Sequence, residues 1–220
     1  MKLYITRHGE TEYNQKHILQ GNSDSPLTQK GLDGAKKLAD FLEPIPFEKI
    51  ISSNLGRAVK TAEIIAEKRG QQVIQNPVVA EIGFADWQGK TREEICINEQ
   101  SERNYRYYFE RPDLYRPIKN AESFDSLFSR ARTFLSEMKE LATRIPDANV
   151  LLVTHGAYIK ALLAVASNLP LRDFWSGPFI SNLSITIFEI DRDNIIVRNN
   201  VDVSHLQIEN QSMEMSGYLK

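Results

Sequence analysis

The sequence predicts a three-layer α/β/α fold in which a mostly parallel central sheet carries helices on both faces. Apolar runs of β type alternate along the chain with segments whose apolar residues recur at helical spacing, which is the pattern of βαβ units. An irregular stretch rich in arginine and tyrosine, roughly residues 84–121, divides this pattern and predicts a helical insertion over the sheet. With 220 residues, of which 41% are hydrophobic, the chain is long enough to bury the core of one such domain.

The first half of the chain predicts two strand–helix units. A β-type run opens the chain and is followed by a loop of turn-forming residues at 21–26. After the second strand, Ser53 or Asn54 is expected to cap the next helix, and Arg57 then lies in its first turn. The predicted elements are a strand at 2–6, a helix at 32–42, a strand at 48–52 and a helix at 58–66.

The second half predicts the same alternation followed by a closing hairpin. An apolar stripe at helical spacing makes residues 122–142 the strongest helix of the chain. We expect a single domain over residues 1–203, with the insertion at about 84–121, and a polar C-terminal tail at 204–220. The other predicted elements are a strand at 149–154, a helix at 157–167 and two hairpin strands at 183–190 and 195–201.

Two histidine–glycine pairs directly follow predicted strands. Arg7, His8 and Gly9 come after the first strand, and His155 and Gly156 come after the strand at 149–154. In an open parallel sheet, ligands bind outside the carboxyl ends of the strands, so residues that follow two different strands can meet. Arginine guanidinium groups match phosphate oxygens bidentately, and the sequence therefore predicts a two-histidine pocket for a phosphate dianion, with the insertion over it.

Composition excludes several other classes of function. The formal net charge is only −2, which predicts neither nucleic acid nor a membrane surface as a partner. No apolar signal segment or membrane span is apparent, so we expect a cytoplasmic protein. The single Cys96 permits no internal disulfide, the histidines lack metal-ligand spacing, and no dinucleotide fingerprint or P-loop occurs. We therefore predict no metal and no cofactor.

An ordered set of motifs resembles the histidine phosphatase superfamily, the phosphoglycerate mutase-like group. The resemblance covers nearly the whole chain, and the set as a whole is far more specific than any one of its motifs. It rests on Arg7-His8-Gly9-Glu10-Thr11, Asn14, Gln20-Gly21, the turn at 25–28 with Gly31, residues 52–58 with Thr61, residues 81–89, Glu122-Ser123 and His155-Gly156.

The resemblance implies a phosphoglycerate mutase-like fold and a phosphohistidine mechanism. His8 is then the nucleophile, and Glu81 the proton donor, with Glu10 as a rival carboxylate. His155, expected to be protonated, stabilises the transferred group. The residues implied to contact substrate are Arg7, His8, Asn14, Gln20, Gly21, Arg57, Glu81, His155 and Gly156.

The leading hypothesis is a metal-independent phosphomonoesterase that hydrolyses a small phosphorylated metabolite. Two alternatives stay open: a cofactor-dependent phosphoglycerate mutase and a catalytically silent module that binds a phosphorylated ligand. The insertion offers Arg103, Arg106, Arg111 and Arg116, which are either ordinary surface cations or, for one or two of them, contacts for a second anionic group of the substrate.

Overall fold

A computed structural model describes residues 1–206 and confirms the predicted fold class. Its sheet has six strands in the order β3-β2-β4-β1-β5-β6. The first four of these run parallel, and β5 and β6 are antiparallel, which is the mostly parallel sheet that the sequence predicts. The strands are β1 (Lys2–Arg7), β2 (Lys49–Ser52), β3 (Val73–Gln75), β4 (Asn149–Thr154), β5 (Ile185–Ile190) and β6 (Ile195–Asp202).

The long helices lie where the apolar periodicity predicts them, and side-chain caps fix two of their beginnings. Thr28 caps α2 and Ser123 caps α6, each by accepting a backbone N–H from the first turn. No helix within residues 1–206 combines the length and the apolar character needed to cross a lipid bilayer. The helices are α1 (Glu12–Gln15), α2 (Gln29–Leu42), α3 (Gly56–Glu67), α4 (Arg92–Ile95), α5 (Glu99–Glu110), α6 (Phe124–Arg144) and α7 (Gly156–Ala166).

The predicted cap of α3 is wrong. Leu55 occupies the N-cap position and makes no side-chain cap hydrogen bond. Ser53 lies two residues before it, and its hydroxyl accepts the N–H of Leu55 at 3.2 Å. The Ser53 hydroxyl does not cap the helix and instead also forms a hydrogen bond with Nε2 of His155.

Two hydrophobic clusters lie on opposite faces of the sheet because side chains alternate along each strand. In β4, Val150 and Leu152 belong to the cluster that includes α6 and α7, whereas Leu151 and Val153 belong to the cluster of α2 and α3. All four are 0–1% exposed, so the strand is covered on both sides. This burial explains why β4 is an unbroken apolar run rather than an alternating one.

The predicted insertion is more regular than its sequence suggests. Residues 92–95 and 99–110 form α4 and α5, and α5 buries Tyr105, Tyr108 and Phe109. Tyr108 is central, with its ring 5.0 Å from that of Phe84 and 5.3 Å from that of Trp175. The aromatic residues that α5 buries are therefore part of the hydrophobic core.

The sequence pattern did not predict the short edge strand β3, since three residues carry too little periodicity to be recognised. Of the predicted tail at 204–220, residues Ser204–Leu206 form a 3-10 turn, and residues 207–220 lie outside the described part of the chain. The division into one domain at 1–203 and a tail stays a prediction.

Two backbone segments approach each other closely at the start of α2, and this contact places α2 beside the first histidine–glycine pair. A Cβ atom added to Gly31 would overlap the carbonyl oxygen of Glu10, and one added to Gly9 would lie 2.8 Å from the carbonyl oxygen of Gly31. Neither backbone can move away cheaply, because Glu10 accepts the N–H of Thr28 at 2.9 Å. A residue with a side chain at position 31 would thus push the loop that carries His8.

We predict that Gly31→Ala destabilises the protein by about 1–3 kcal/mol, because overpacking against backbone outweighs the gain in helix propensity of about 1 kcal/mol. Gly34→Ala is the matched control in the same helix, since its added Cβ meets only side-chain methyl groups, closely that of Leu183 and at 3.9 Å that of Leu206, which can rotate away. Urea unfolding measures both variants. A Gly31→Ala protein as stable as Gly34→Ala would contradict the proposed backbone contact.

Candidate active site

Three parallel strands end side by side and bring His8, Ser53 and His155 together. In the register, Arg7 at the end of β1 pairs with Thr154 at the end of β4, so that the two histidines follow at the same level. The N–H of His8 donates to the Thr154 carbonyl at 2.9 Å, and that of Ser53 donates to the Val153 carbonyl at 2.9 Å. The rings of His8 and His155 lie 5.2 Å apart, tilted by 57°.

The imidazole of His8 is held with one nitrogen available as a nucleophile. Its Nδ1 lies 2.8 Å from the carbonyl oxygen of Gly9, which can only accept, so Nδ1 carries the proton. Its Nε2 accepts the Nε–H of Arg57 at 3.2 Å. Burial, with Arg57 and Arg7 nearby, lowers the pKa of His8 well below its ordinary value. His8 is thus neutral, with its lone pair on Nε2.

Arg57 is buried and largely occupied by protein acceptors. Besides His8, its guanidinium donates to the carbonyls of Ser23 at 2.8 Å and Gly21 at 2.7 Å, and to the Asp24 carboxylate at 3.1 Å. These bonds use four of its five N–H groups. In this conformation Arg57 is therefore not the bidentate phosphate ligand that the sequence predicted. Two of its N–H groups can still donate to an anion: the unpaired Nη2–H, and the Nε–H if it leaves His8.

Arg7 is better placed to act as the fork. Its Nη1 donates to the carbonyl oxygen of Ile180 at 2.8 Å, and its guanidinium carbon lies 5.7 Å from the centre of the Phe179 ring. Its Nε is buried and has no hydrogen-bond partner among residues 1–206. Arg7 lines the same cavity as His8, and its Nε–H is available to an anion.

His155 lies behind His8 and is fully buried. Its Nε2 is 2.8 Å from the Ser53 hydroxyl, whereas its Nδ1 is buried with no partner in the described residues. Burial, then the charges of the Arg57 and Arg7 guanidinium groups, lower its pKa well below the ordinary value. In the free protein His155 is therefore neutral, because two neighbouring guanidinium groups oppose a third positive charge, and its protonation beside a transferred phosphoryl group stays a prediction.

Glu81 is held at the N-terminus of α7. Its carboxylate accepts the N–H groups of Ala157 and Tyr158, each at 3.2 Å, and that of Ile82 at 3.0 Å. The first two are donors that the helix itself leaves unsatisfied. Glu81 borders the cavity together with Phe84, whereas Trp87 packs against Tyr105 and Tyr115.

A partly buried ion pair supports the segment that carries Glu81. Arg130 and Glu122 form a two-bond pair at 2.8 Å, and Arg130 also donates to the carbonyls of Val78 and Ala80. Glu122 in turn accepts the N–H of Gly83 at 3.2 Å. Both ends of the short stretch around Glu81 are therefore fixed to α6. Glu10, the rival carboxylate, binds Lys30 and Thr28 outside the cavity.

The predicted substrate-side residues Asn14, Gln20 and Gly21 all line the cavity. Asn14 is oriented through its Oδ1, which accepts the backbone N–H and the hydroxyl of Thr11. Gly21 has a φ of +54°, and a Cβ there would collide with the side chain of Gln88. Gly156 also lines the cavity, next to the side chain of Arg7.

The cavity has a volume of about 430 Å³, enough for a small phosphorylated molecule. Arg7, His8 and Arg57 are among its charged and polar lining residues. Sequence reasoning missed much of the remaining lining, which consists of apolar and aromatic residues with one lysine. No insertion arginine lines this cavity; the insertion contributes aromatic residues instead. The residues not predicted are Ile18, Leu19, Tyr108, Phe109, Ala157, Lys160, Trp175, Gly177, Phe179 and Ile180.

These walls were hard to recognise in the sequence. Tyr108 and Phe109 are part of the aromatic cluster that we predicted, but nothing in their spacing shows which rings face the cavity. Lys160 carried one signal, because it is a charged residue in the middle of the otherwise apolar helix α7. Within residues 1–206 there is no group of three or more His, Cys, Asp or Glu side chains placed to hold a metal ion.

Comparison with known proteins gives consistent relatives. Residues 3–202 match the model of the histidine phosphatase superfamily, branch 1. The probable phosphoglycerate mutase GpmB of Escherichia fergusonii is 31% identical over 213 residues, which cover 94% of this chain and 95% of that protein. The structure of Bacillus stearothermophilus YhfR is 37% identical, with a TM-score of 0.85 and coverage of 94% of this chain and 99% of that chain.

A further solved structure contains a phosphorylated ligand. Phosphoserine phosphatase from Entamoeba histolytica, in complex with 3-phosphoglyceric acid, is 28% identical, with a TM-score of 0.78. The match covers 93% of this chain and 98% of that chain. These relatives include both phosphatases and proteins named as mutases.

We predict that His8 and His155 stay neutral at pH 6, where a histidine with an ordinary pKa of about 6.5 is mostly charged. Because their folded-state pKa is lowered, the unfolded chain binds more protons below about pH 6.5, and the free energy of unfolding falls as the pH falls. Nitrogen NMR of protein labelled at histidine checks this, with His8→Gln and His155→Gln to assign the signals. Protonation of both ring nitrogens of His8 at pH 6 would contradict the structure.

Proposed function

Because this chain belongs to branch 1 of the histidine phosphatase superfamily, we propose that it is a metal-independent phosphomonoesterase. Its substrate is a small phosphorylated metabolite, and the phosphoryl group passes through His8. The observation that carries this proposal is the neutral His8 imidazole, whose Nε2 meets the Nε of Arg57 at 3.2 Å in a cavity that Arg7 also lines. A nucleophile and its anion donors thus share one pocket.

The first step transfers the phosphoryl group to His8. As the phosphate binds, the Nε–H of Arg57 moves from Nε2 to a phosphate oxygen and frees the lone pair. Nε2 then attacks phosphorus in line, the bond from phosphorus to the ester oxygen breaks, and its electron pair leaves with that oxygen. Glu81, as the carboxylic acid, gives its proton to the leaving oxygen, and an alcohol departs.

The second step returns His8 to its starting state. The Glu81 carboxylate takes a proton from water, the water oxygen attacks phosphorus, and the bond from Nε2 to phosphorus breaks. Inorganic phosphate leaves, and the neutral imidazole keeps its proton on Nδ1. The same carboxyl group therefore acts as acid and then as base. The N–H groups of Ala157 and Tyr158 hold it in one place for both steps.

Two buried nitrogens without protein partners complete the proposed phosphate site. They are Nε of Arg7 and Nδ1 of His155. The Ser53 hydroxyl accepts the Leu55 N–H and can donate its own proton to Nε2 of His155, which leaves the ring proton on Nδ1. Buried donors normally have partners, and the equatorial phosphate oxygens would supply them. A bound dianion also favours the protonated form of His155.

A phosphoglycerate mutase is the second candidate, favoured by the names of the curated relatives. In that reaction the phosphoenzyme returns its group to the bound product instead of to water. Interconversion of 2- and 3-phosphoglycerate, primed by the bisphosphate and faster than release of phosphate, would rank the mutase first. The intact nucleophile and candidate acid disfavour a silent binding module.

We expect His8→Ala to lower phosphatase activity by about 10³-fold or more, because no other group in the cavity can form the covalent intermediate. His17→Asn, a change of an exposed histidine, is the matched control. Labelling with a ³²P-phosphomonoester and quenching at neutral and acidic pH should show an acid-labile adduct that is absent in His8→Ala. Undiminished hydrolysis in His8→Ala would refute the proposal, as would loss of wild-type activity in EDTA for its metal-independent form.

We expect Glu81→Gln to slow hydrolysis of an alkyl phosphate by about 10²–10⁴-fold but to affect 4-nitrophenyl phosphate far less, because nitrophenolate departs without a proton. Glu10→Gln serves as the control, since that carboxylate lies outside the cavity. Values of kcat/KM for both esters measure the difference, because they report the transfer to His8, whereas kcat also contains the water step that Glu81 serves for both esters. Equal losses on the two esters would assign Glu81 a structural role instead of proton transfer.

A further inference from the structure

Lys160 lies in the wall of the catalytic cavity but takes no part in the steps above. It follows Gly156 by four residues on α7, and positions four apart share one face of a helix, about 6 Å apart along its axis. Both residues line the cavity, and the side chain of Lys160 is 5% exposed. The amine therefore belongs to the same pocket as the phosphate site, roughly one helical turn further along.

Among the described residues, the charge of Lys160 has no counter-ion. Its Nζ donates to the carbonyl oxygen of Ser176 at 2.6 Å, and it forms no salt bridge within residues 1–206. Burial alone lowers its pKa to about 8, so the group is still largely charged at neutral pH. An ammonium group has three donors, and buried charges in proteins are normally paired. A lysine with one carbonyl partner therefore has capacity for an anion.

Other candidates for reading the substrate lie elsewhere. Arg106 pairs with Glu110, and Arg111 pairs with Asp113, both on the exposed side of the insertion. Around Lys160 the walls are apolar, with Trp175 and Phe109 among the lining residues. Away from the phosphate end, the cavity thus presents one cation in an apolar surround, where an ion pair gains strength from the low dielectric constant.

We propose that Lys160 is a specificity-determining residue that binds a carboxylate of the substrate, so that compact phosphomonoesters with a carboxylate a few bonds from the ester oxygen are preferred. This inference rests on the proposed function, because it places the phosphate at His8. The competing role is purely structural: Lys160 ties the loop at Ser176 to α7 through one hydrogen bond. The two roles differ in whether the substrate's carboxylate matters.

Binding of stable phosphonates separates the two roles without any turnover. The probes are ω-phosphonocarboxylates with two, three or four methylene groups, each compared with the alkylphosphonate of the same length by calorimetry at pH 7. Lys160→Met keeps the aliphatic stem and removes the donors. Lys139→Met is the matched control, since Lys139 also donates to a backbone carbonyl, that of Asp193, but on the exposed face of α6.

In the wild type we expect the best-fitting phosphonocarboxylate to bind about 10–100-fold more tightly than its alkyl partner, the range for a hydrogen bond between charged groups. The ratio should fall to within about twofold of one in Lys160→Met, stay unchanged in Lys139→Met, and decline above pH 8 as the amine loses its charge. A bisphosphonate of the same length is compared with the same alkylphosphonate. If its affinity ratio exceeds that of the phosphonocarboxylate, the group that Lys160 prefers is a second phosphate and not a carboxylate, which would overturn the proposal.

A wild-type protein that prefers no phosphonocarboxylate, or a ratio that survives in Lys160→Met, also overturns the assignment and leaves Lys160 as a tie between α7 and the loop. Hydrolysis of phenyl phosphate, which has no carboxylate, tests the proposed function separately. A protein that hydrolyses phenyl phosphate without any carboxylate preference therefore rejects this inference alone. One that prefers the carboxylate but hydrolyses no ester rejects the phosphatase proposal instead.

Discussion

The guanidinium groups of Arg57 and Arg7 beside two imidazoles at the end of a parallel sheet are the constraint on which the rest of the site depends. Arg57 is 2% exposed and Arg7 is half-buried, and Asp24, the carboxylate that pairs with Arg57 in the described part of the chain, is partly in solvent. A charge in such a place is costly unless acceptors surround it. The loop at 20–24 supplies them through backbone carbonyls, and so its shape follows from the need to solvate Arg57.

The same positive charges determine the state of the histidines. A third or fourth cation in this small volume is unfavourable, so both imidazoles are neutral, and the Gly9 carbonyl then selects the tautomer of His8. A nucleophilic nitrogen is produced without a general base beside it. The site thus joins two properties that phosphoryl transfer needs, a free lone pair and a surplus of anion donors, through one electrostatic cause.

How far the sequence could predict this arrangement depends on the range of the interactions involved. The strand ends that carry His8 and His155 follow from local apolar patterns and from a general rule about parallel sheets, and both were predictable. The direction of the Arg57 fork, the neutral state of His155 and the orientation of Arg106 and Arg111 depend on partners distant in sequence. No local pattern encodes these contacts, and the same holds for the cavity wall around Lys160.

The side chain of Gln88 links two parts of the cavity that are far apart in the chain. Its Oε1 accepts the N–H of Asn22, in the loop that surrounds Arg57, and that of Phe84, at the start of the insertion. The loop around Arg57 and the start of the insertion are thus connected through one side-chain amide. The rings that α5 contributes to the cavity are not part of this connection. In evolution, substitutions on α5 can therefore reshape the aromatic wall of the cavity while the geometry around His8 is inherited unchanged.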